Sequence, residues 1–400
     1  MSDTAGRPRV IIVGAGILGL ASAYHILKGD GNLDLLVIDR LQGPGQGNTT
    51  RSAAAYRDMF SSPLNRALSQ GSIAFYEQVQ KDADIGLRRI GYLWLKTADQ
   101  MRESQAVLDA MVQAGVKFET LEPNELHRRL PEMRIGAIAQ GILGRNCGIL
   151  NPNLLCRFYE KRISALGGNF AFGTEVTGFA TNGEGRMLGV KARDGEIIYG
   201  TVVVATGAWI SLTMSLAGLK VPVVPRKRQL FAVAAKEGAL QRLLHAEGFN
   251  AHNLLPFTIM PGGAYLRPST GSFILGFANE DQPPGLEEPP AAERDFFQGR
   301  VRPQVEPYFP CFQDVVPQYS WAGHYADHLA DSHPVVDRVG GAIVVGGDSG
   351  SGIMKADALG RIAAGLYFGQ DRVGLGDGRD FPVADLGLAN RRLVPEELII

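Results

Sequence analysis

Gly14, Gly16 and Gly19 stand in G-x-G-x-x-G spacing inside RVIIVGAGILGLASAYHIL, residues 9 to 27. That spacing suits the binding of a dinucleotide pyrophosphate. Gly14 permits a tight turn, Gly16 lets backbone approach a phosphate, and Gly19 lets a helix pack closely on the preceding strand. A helix beginning near Ile17 and Leu18 would offer N–H groups and a partial positive charge to the phosphates. A second apolar stretch, LDLLVIDR, ends at Asp39, 20 residues after Gly19. A carboxylate at that place accepts hydrogen bonds from an adenosine ribose. Arg40 beside it leaves a 2′-phosphate, and hence NADP, conceivable.

A second glycine cluster, GGDSGSG, occupies residues 346 to 352, with His324, His328 and His333 upstream. GDSG near histidines raises the question of a nucleophilic Ser349. A trypsin-like site needs its histidine early in the chain and a pair of β-barrels, and it leaves Gly14 to Asp39 without a role. The histidines have irregular spacing and no cysteine partners, so no metal site is expected. Cys147, Cys156 and Cys311 show no paired spacing. That speaks against disulfides and for a reducing, cytoplasmic compartment.

These residues need elements to hold them. Val10 to Val13 is a continuous apolar run, as in a strand covered on both faces. GILNPNLLCRFYEKRISALGGNFAFGTEVTGF, residues 148 to 179, predicts an Asn-Pro helix start, a helix, a Gly-Gly stop and a strand. TVVVATGAW, residues 201 to 209, predicts a buried strand that breaks at Thr206 and Gly207. Nucleotide-type elements thus recur along the chain, which favours FAD over NAD. Simple NAD dehydrogenases place catalysis in a separate domain after one nucleotide-binding unit.

The chain of 400 residues exceeds what one core usually organises, so two domains are expected. A net charge of −1 gives no electrostatic reason to expect nucleic acid. Arg226, Lys227 and Arg228 predict a solvated strand end. MSDTAGRPR lacks the apolar region of a signal peptide. Thr201 to Leu219 is uncharged over 19 residues, but its glycines and hydroxyls predict strand, turn and helix rather than a transmembrane segment. QPPGLEEPP, residues 282 to 290, predicts a flexible loop.

Taken in order, VGAGILGL with Asp39, GILNPNLL, VVVATGAW, WAGHYADHLADSHPVVD and GGDSGSGIMKADALG resemble the D-amino-acid oxidase group of FAD-dependent oxidoreductases. Sarcosine oxidase, glycine oxidase and dimethylglycine dehydrogenase belong to that group. The resemblance covers nearly the whole chain. It implies an α/β fold with a Rossmann-type FAD-binding domain built from residues 1–86, 150–221 and 331–400. A substrate domain with an antiparallel β-sheet would come from 87–149 and 222–330, with strands in RIGYLWL (89–95), RQLFAV (228–233) and SFILGF (272–277).

The resemblance also implies cofactor contacts from Gly14, Gly16, Ile17, Leu18, Gly19, Asp39 and Arg40, and from Thr50, Arg51 and Ser52. Further contacts are implied from Val176, Thr206, Gly207 and Trp209. A late turn, usually S-G-H-G, closes over the flavin ring in this group. Here it is Ser349, Gly350, Ser351 and Gly352, followed by Ile353 and Met354, with Ser351 in place of the histidine. The helix in KADALGRIAAGLYF would aim its N-terminus at the flavin. Relatives that tether FAD use a cysteine near WAGHY or a histidine where Ser52 stands. No cysteine lies between Trp321 and Asp337, so the FAD is expected to be non-covalent. Ile274 stands where sarcosine oxidase has the lysine that promotes reaction with oxygen. That tilts the expectation toward a dehydrogenase, with O2, a quinone or an electron-transfer protein as acceptor.

The implied substrate is a small amine or amino acid such as sarcosine, dimethylglycine, glycine or proline, oxidised next to nitrogen. Its carboxylate would be held by arginine. Tyr325 stands where glycine oxidase has that arginine, and Met354 where sarcosine oxidase has a substrate-side lysine. The candidates that remain are Arg57, Arg267 and Lys355, with Tyr325, His324 and Tyr56 beside the substrate and Arg51 shared with the phosphates. Two other functions fit the same motifs: oxidation of a 2-hydroxy acid or glycerol-3-phosphate, and a flavoprotein assembly factor that turns nothing over.

Overall fold

In the computed structural model, which describes residues 8–278, 281–389, 391 and 393–396, the strand Arg9–Val13 lies parallel between Asp34–Asp39 and Thr201–Val204. Its side chains alternate between two cores. Val10 and Ile12 face one, Ile11 and Val13 the other, so an unbroken apolar run is what the position demands. The full sheet has six strands in the order Val335–Val339, Ala342–Gly346, Thr201–Val204, Arg9–Val13, Asp34–Asp39, Asn169–Phe172. The pairings are parallel except for the edge pair Val335–Val339 and Ala342–Gly346.

Helices Ile17–Gly29, Pro63–Asp82, Pro152–Ala165 and Ala356–Phe368 cover one face. The sequence explains the starts of two of them. Ser62 caps the second, its hydroxyl accepting the Asn65 N–H. Asn151 caps the third, its side chain accepting from Asn153 and Leu154 ahead of Pro152 at the first turn. A three-stranded antiparallel sheet, Val176–Thr181, Met187–Ala192 and Ile197–Tyr199, covers the other face.

A second sheet has eight strands in the order Tyr319–His328, Val223–Ala234, Ser272–Phe277, Ala264–Ser269, Phe257–Ile259, Tyr92–Thr97, Ile138–Gly144, Phe118–Leu121. It is antiparallel apart from the parallel pair Phe257–Ile259 and Tyr92–Thr97. Period-2 alternation again divides its residues. Leu93, Leu95, Phe231 and Phe273 enter one core, while Tyr92, Trp94, Leu230 and Tyr265 enter another. The α/β fold with an antiparallel second sheet is therefore as the sequence led us to expect.

Three expectations need amendment. RQLFAV is the second half of a longer strand, Val223–Ala234, which takes in the basic run. That run is not a solvated end: Arg226 pairs with Asp327 at 2.8 Å, and Lys227 with Glu287 and Glu293 at 2.9 and 2.8 Å. The loop QPPGLEEPP is tied down rather than loose. Arg226 donates to Gln282 O at 2.6 Å, Gly285 N–H to Pro225 O at 2.9 Å, and Glu288 pairs with Arg40. Residues 201–219 form the strand Thr201–Val204, a 3-10 turn Gly207–Trp209 and the helix Ile210–Ser215. Among the described residues no helix is long and apolar enough to cross a membrane.

Candidate functional site

A cleft of about 490 Å³ runs between the two sheets. It begins at the first glycine turn and Asp39, passes Thr206 and Trp209, and ends under Gly350, Met354 and Tyr325. Both glycine clusters of the sequence thus border one cavity.

At the first end Gly14 has φ +109°, and a Cβ there would sit 2.5 Å from Ala205 O. Only glycine suits this position. A Cβ on Gly19 would lie 1.9 Å from Gly14 O, so the helix contacts the turn without any side chain between them. The Asp39 carboxylate accepts the Ala15 N–H at 2.7 Å and the Leu41 N–H at 2.8 Å. These bonds fix its direction at the cleft wall and leave acceptor capacity on both oxygens. The Ile17 N–H is held by Thr49 Oγ1 at 3.1 Å. Arg40 lies over the Trp209 ring at 4.9 Å while pairing with Glu288. A helix N-terminus, a glycine turn and a carboxylate in this order fit a dinucleotide.

The short helix Asn48–Arg51 is laced to the strand Tyr319–His328. The His324 N–H donates to Asn48 Oδ1 at 2.9 Å, the Trp321 indole N–H to Arg51 O at 2.8 Å, and Arg51 to Ala322 O at 3.4 Å. Arg51, Ser52, Gly323 and His324 consequently share one stretch of wall. His324 Nε2 accepts the Glu287 N–H at 3.1 Å, and burial lowers its pKa against the pull of Glu287 and Glu288. The ring is therefore neutral near pH 7 and occupied by the loop at the rim.

At the far end Gly350 has φ +80°, and a Cβ there would meet the Tyr325 ring at 2.3 Å. The late turn packs on that ring for want of a side chain. Ser349 is not a nucleophile. Its hydroxyl accepts the His328 backbone N–H at 3.1 Å and donates to Gly347 O at 3.4 Å, with no imidazole set to take its proton. Tyr92, Phe257 and Tyr265 stack in series, with centroids 4.3 and 4.9 Å apart, and form an apolar wall. The Arg228 guanidinium lies 4.8 Å from the Tyr325 centroid. Burial pushes the Tyr325 phenol up and Arg228 pulls it down, leaving it raised and neutral.

Most expected cofactor residues line this cleft. They are the turn residues Gly14, Gly16, Ile17 and Leu18, the pair Asp39 and Arg40, then Arg51, Ser52, Val176, Thr206, Gly207 and Trp209. Gly350, Gly352, Ile353 and Met354 line it at the other end. Gly19, Thr50, Ser349 and Ser351 stand behind the wall. The expected substrate residues divide. Tyr325 and His324 line the cleft, whereas Arg57, Arg267, Lys355 and Tyr56 do not. Arg57 is buried, donating to Met59 O and lying over Phe60 at 4.1 Å. Arg267 is buried against Leu150 O and Pro268 O at 3.3 and 3.2 Å, and burial lowers its pKa to about 10. Lys355 donates to Asn65 Oδ1 at 2.8 Å and Ser351 Oγ at 2.6 Å.

Arg228 is the basic residue that replaces them in the wall. Its signal was present in the sequence. In RQLFAV, Arg228 is two residues before Leu230 and so shares its face, and Leu230 lines the same cleft.

Residues 9–366 match the family described as DAO, FAD dependent oxidoreductase. The chain is 27% identical to FAD-dependent oxidoreductase domain-containing protein 1 of Bos taurus, over 90% of this chain and 80% of that one. It is 27% identical to sarcosine oxidase subunit beta of Rhodobacter capsulatus, over 54% of each chain. Among solved structures, L-proline dehydrogenase from P. horikoshii superposes with a TM-score of 0.81 at 23% identity, covering 95% of this chain and 96% of that one. Glycine oxidase from Geobacillus kaustophilus gives 0.77 at 19% identity, covering 96% and 100%.

Proposed function

The chain belongs to the DAO family of FAD-dependent oxidoreductases, and on that premise we propose that it oxidises the C–N bond of a small amino acid or N-methyl amino acid. One observation carries this reading. Arg228 and Tyr325 converge beside the aromatic wall, at the end of the cleft closed by the late glycine turn. A guanidinium and a neutral phenol together recognise a carboxylate, the arginine by charge and paired N–H groups, the tyrosine by one O–H.

Gly14, Gly16, Asp39 and Arg51 would hold the FAD phosphates and ribose, and Gly350 to Met354 its ring end. The cofactor supplies the two-electron oxidation when bound. The protein's share is position and environment. Arg228 and Tyr325 orient the substrate by its carboxylate. Tyr92, Phe257 and Tyr265 keep water from the carbon next to nitrogen. The amine must be neutral to react, and the imine left on the substrate is then hydrolysed, so no dedicated protein base is needed. His324, neutral and bonded to Glu287, shapes the wall rather than moving a proton.

The FAD is held without a covalent bond, since Ser52 stands where some relatives have a tethering histidine and the segment 321–337, where others have a tethering cysteine, contains no cysteine. Ile274 gives no cation near the ring end by that route, which supports a dehydrogenase over an oxidase. An open cleft lined by Arg228 and Tyr325 favours turnover over a purely structural flavoprotein.

The test is the visible spectrum of the yellow protein under anaerobic conditions, with sarcosine, dimethylglycine, glycine, proline and 2-hydroxy acids added in turn. Bleaching by an amino acid supports the proposal, and the speed of colour return in air separates oxidase from dehydrogenase. Bleaching by 2-hydroxy acids alone refutes it.

A further inference from the structure

Behind the late glycine turn lies a buried polar chain that the substrate reading does not use. It starts at Arg391, whose Nε and Nη2 bind the Asp331 carboxylate at 2.6 and 3.0 Å and whose Nη2 also donates to His333 O at 2.9 Å. The His333 Nδ1 lies 2.6 Å from Asp331 O, a carbonyl that can only accept, so Nδ1 carries the proton. Burial keeps the ring neutral, and Nε2 accepts the Ser62 hydroxyl at 2.7 Å. Ser62 and its neighbour Ser61 bind Glu396. The Glu396 carboxylate accepts the Ser61 N–H and O–H at 2.6 and 2.7 Å, the Ser62 N–H at 3.2 Å and the Asn65 side-chain N–H at 3.0 Å. Asn65 Oδ1 accepts from Lys355 Nζ, which also donates to Ser351 Oγ. Ser351 in turn donates to Asp348 O at 2.6 Å. Ser351 sits between Gly350 and Gly352, which line the cleft.

We propose that Glu396 is a positioning residue for the late glycine turn, acting through Asn65 and Lys355 on Ser351, so that Glu396 tunes the environment of the bound FAD. This needs only the family's cofactor and is independent of the substrate proposed above.

Glu396 and Lys355 are both almost wholly buried, and a buried charge persists only with partners. Burial pushes the Glu396 carboxyl up, but Arg57 and the bonds from Asn65 and Ser61 prevail and hold it below the usual range. Burial pushes Lys355 down to about 7, against the pull of Glu396. The charged and titratable groups facing Lys355 are Glu396, Arg57 and Asp348, with His333 across the chain. Glu396 is thus the strongest attraction keeping Lys355 protonated near neutrality. A lysine that changes charge one hydrogen bond from the turn would change the field felt by the flavin.

The experiment measures the midpoint potential of bound FAD between pH 5 and 9 in the full chain, for wild type, Glu396→Gln, Glu396→Asp and Lys355→Met. Wild type should show an inflection near the Lys355 value, about 7. Glu396→Gln should move it to lower pH by about one unit, as expected on losing a nearby opposite charge. Glu396→Asp should keep much of it, and Lys355→Met should abolish it. If Glu396→Gln does not fold, Arg391→Gln, which loosens the far end of the polar chain through Asp331, His333 and Ser62, should shift the inflection the same way. A group that only braced the fold would lower the melting temperature and leave the inflection in place. An unmoved inflection in variants that bind FAD normally overturns the proposal.

Discussion

The guanidinium of Arg228 lies 4.8 Å from the centre of the Tyr325 ring, with both residues in the wall at the far end of the cleft. They come from adjacent antiparallel strands, Val223–Ala234 and Tyr319–His328, in a register that pairs Arg228 with Gly323 and Arg226 with Tyr325. From the sequence, Tyr325 is expected where glycine oxidase has an arginine, and Arg228 reaches the same wall from the neighbouring strand.

Arg228→Met should therefore raise KM for a carboxylate substrate and lower kcat/KM by about 10- to 100-fold, the worth of a hydrogen bond to a charged group. Arg228→Lys should recover little, because an ammonium cannot reproduce the planar pair of donors. Tyr325→Phe should cost less, roughly tenfold for one bond. Steady-state kinetics on whichever amino acid bleaches the flavin checks all three. Equal kinetics in Arg228→Met and wild type would remove Arg228 from the site.

Gly350→Ala tests the contact between the late turn and Tyr325. The residue has φ +80°, and the added Cβ would lie within 2.6 Å of three Tyr325 ring atoms. A left-handed conformation alone costs a non-glycine residue about 1–3 kcal/mol. The ring must also move, and Tyr325 is held between Gly350 and Arg228. Both melting temperature and FAD affinity should fall. Loss of melting temperature with intact FAD binding would mean that the turn does not face the cofactor.

The first half of the site was legible because its chemistry is local. Gly14, Gly16, Gly19 and Asp39 derive their roles from a strand, a turn and a helix that follow one another in sequence. The late turn was legible only with family likeness, since GDSG alone points equally to a hydrolase. At the substrate end three of the expected basic residues lie outside the cleft wall for a physical reason. Arg57, Arg267 and Lys355 sit in segments that border the cleft, but their side chains turn into buried bonds with Met59, Leu150 and Asn65. Which side of a wall a long side chain takes depends on those distant partners, and no local pattern records them. Arg228 was passed over because a run of three basic residues resembles a solvated end. The acidic residues that neutralise Arg226 and Lys227 lie 60 to 101 positions away.

Arg267 should behave as a structural residue. It is buried, absent from the cleft wall and bonded to Leu150 O and Pro268 O. Arg267→Met keeps the length and apolar stem but strips both carbonyls of a donor, which should destabilise the fold by about 1–3 kcal/mol. KM for the substrate should not change. A rise in KM with unchanged melting temperature would return Arg267 to the site.

Lys355 should make the fold more stable in mild alkali. Its ordinary value is 10.5, and burial in the folded chain lowers it to about 7. Between those values the unfolded chain holds a proton that the folded chain has released, so stability rises with pH across the window. The contribution is fully present above 10.5 and is lost as pH falls through about 7. Burial raises Tyr56, Tyr76 and Tyr92, so above about 10 the unfolded chain loses phenol protons that the fold keeps and stability falls again; the comparison therefore stays between pH 7 and pH 9. Melting temperatures of the wild type should climb from pH 7 to pH 9, and those of Lys355→Met should climb less. The neutral methionine should also narrow the gap between the two proteins at pH 7, where wild type still bears the cost of a partly charged buried amine. Parallel curves for the two proteins would show that Lys355 keeps its proton in the fold, with Glu396 outweighing burial.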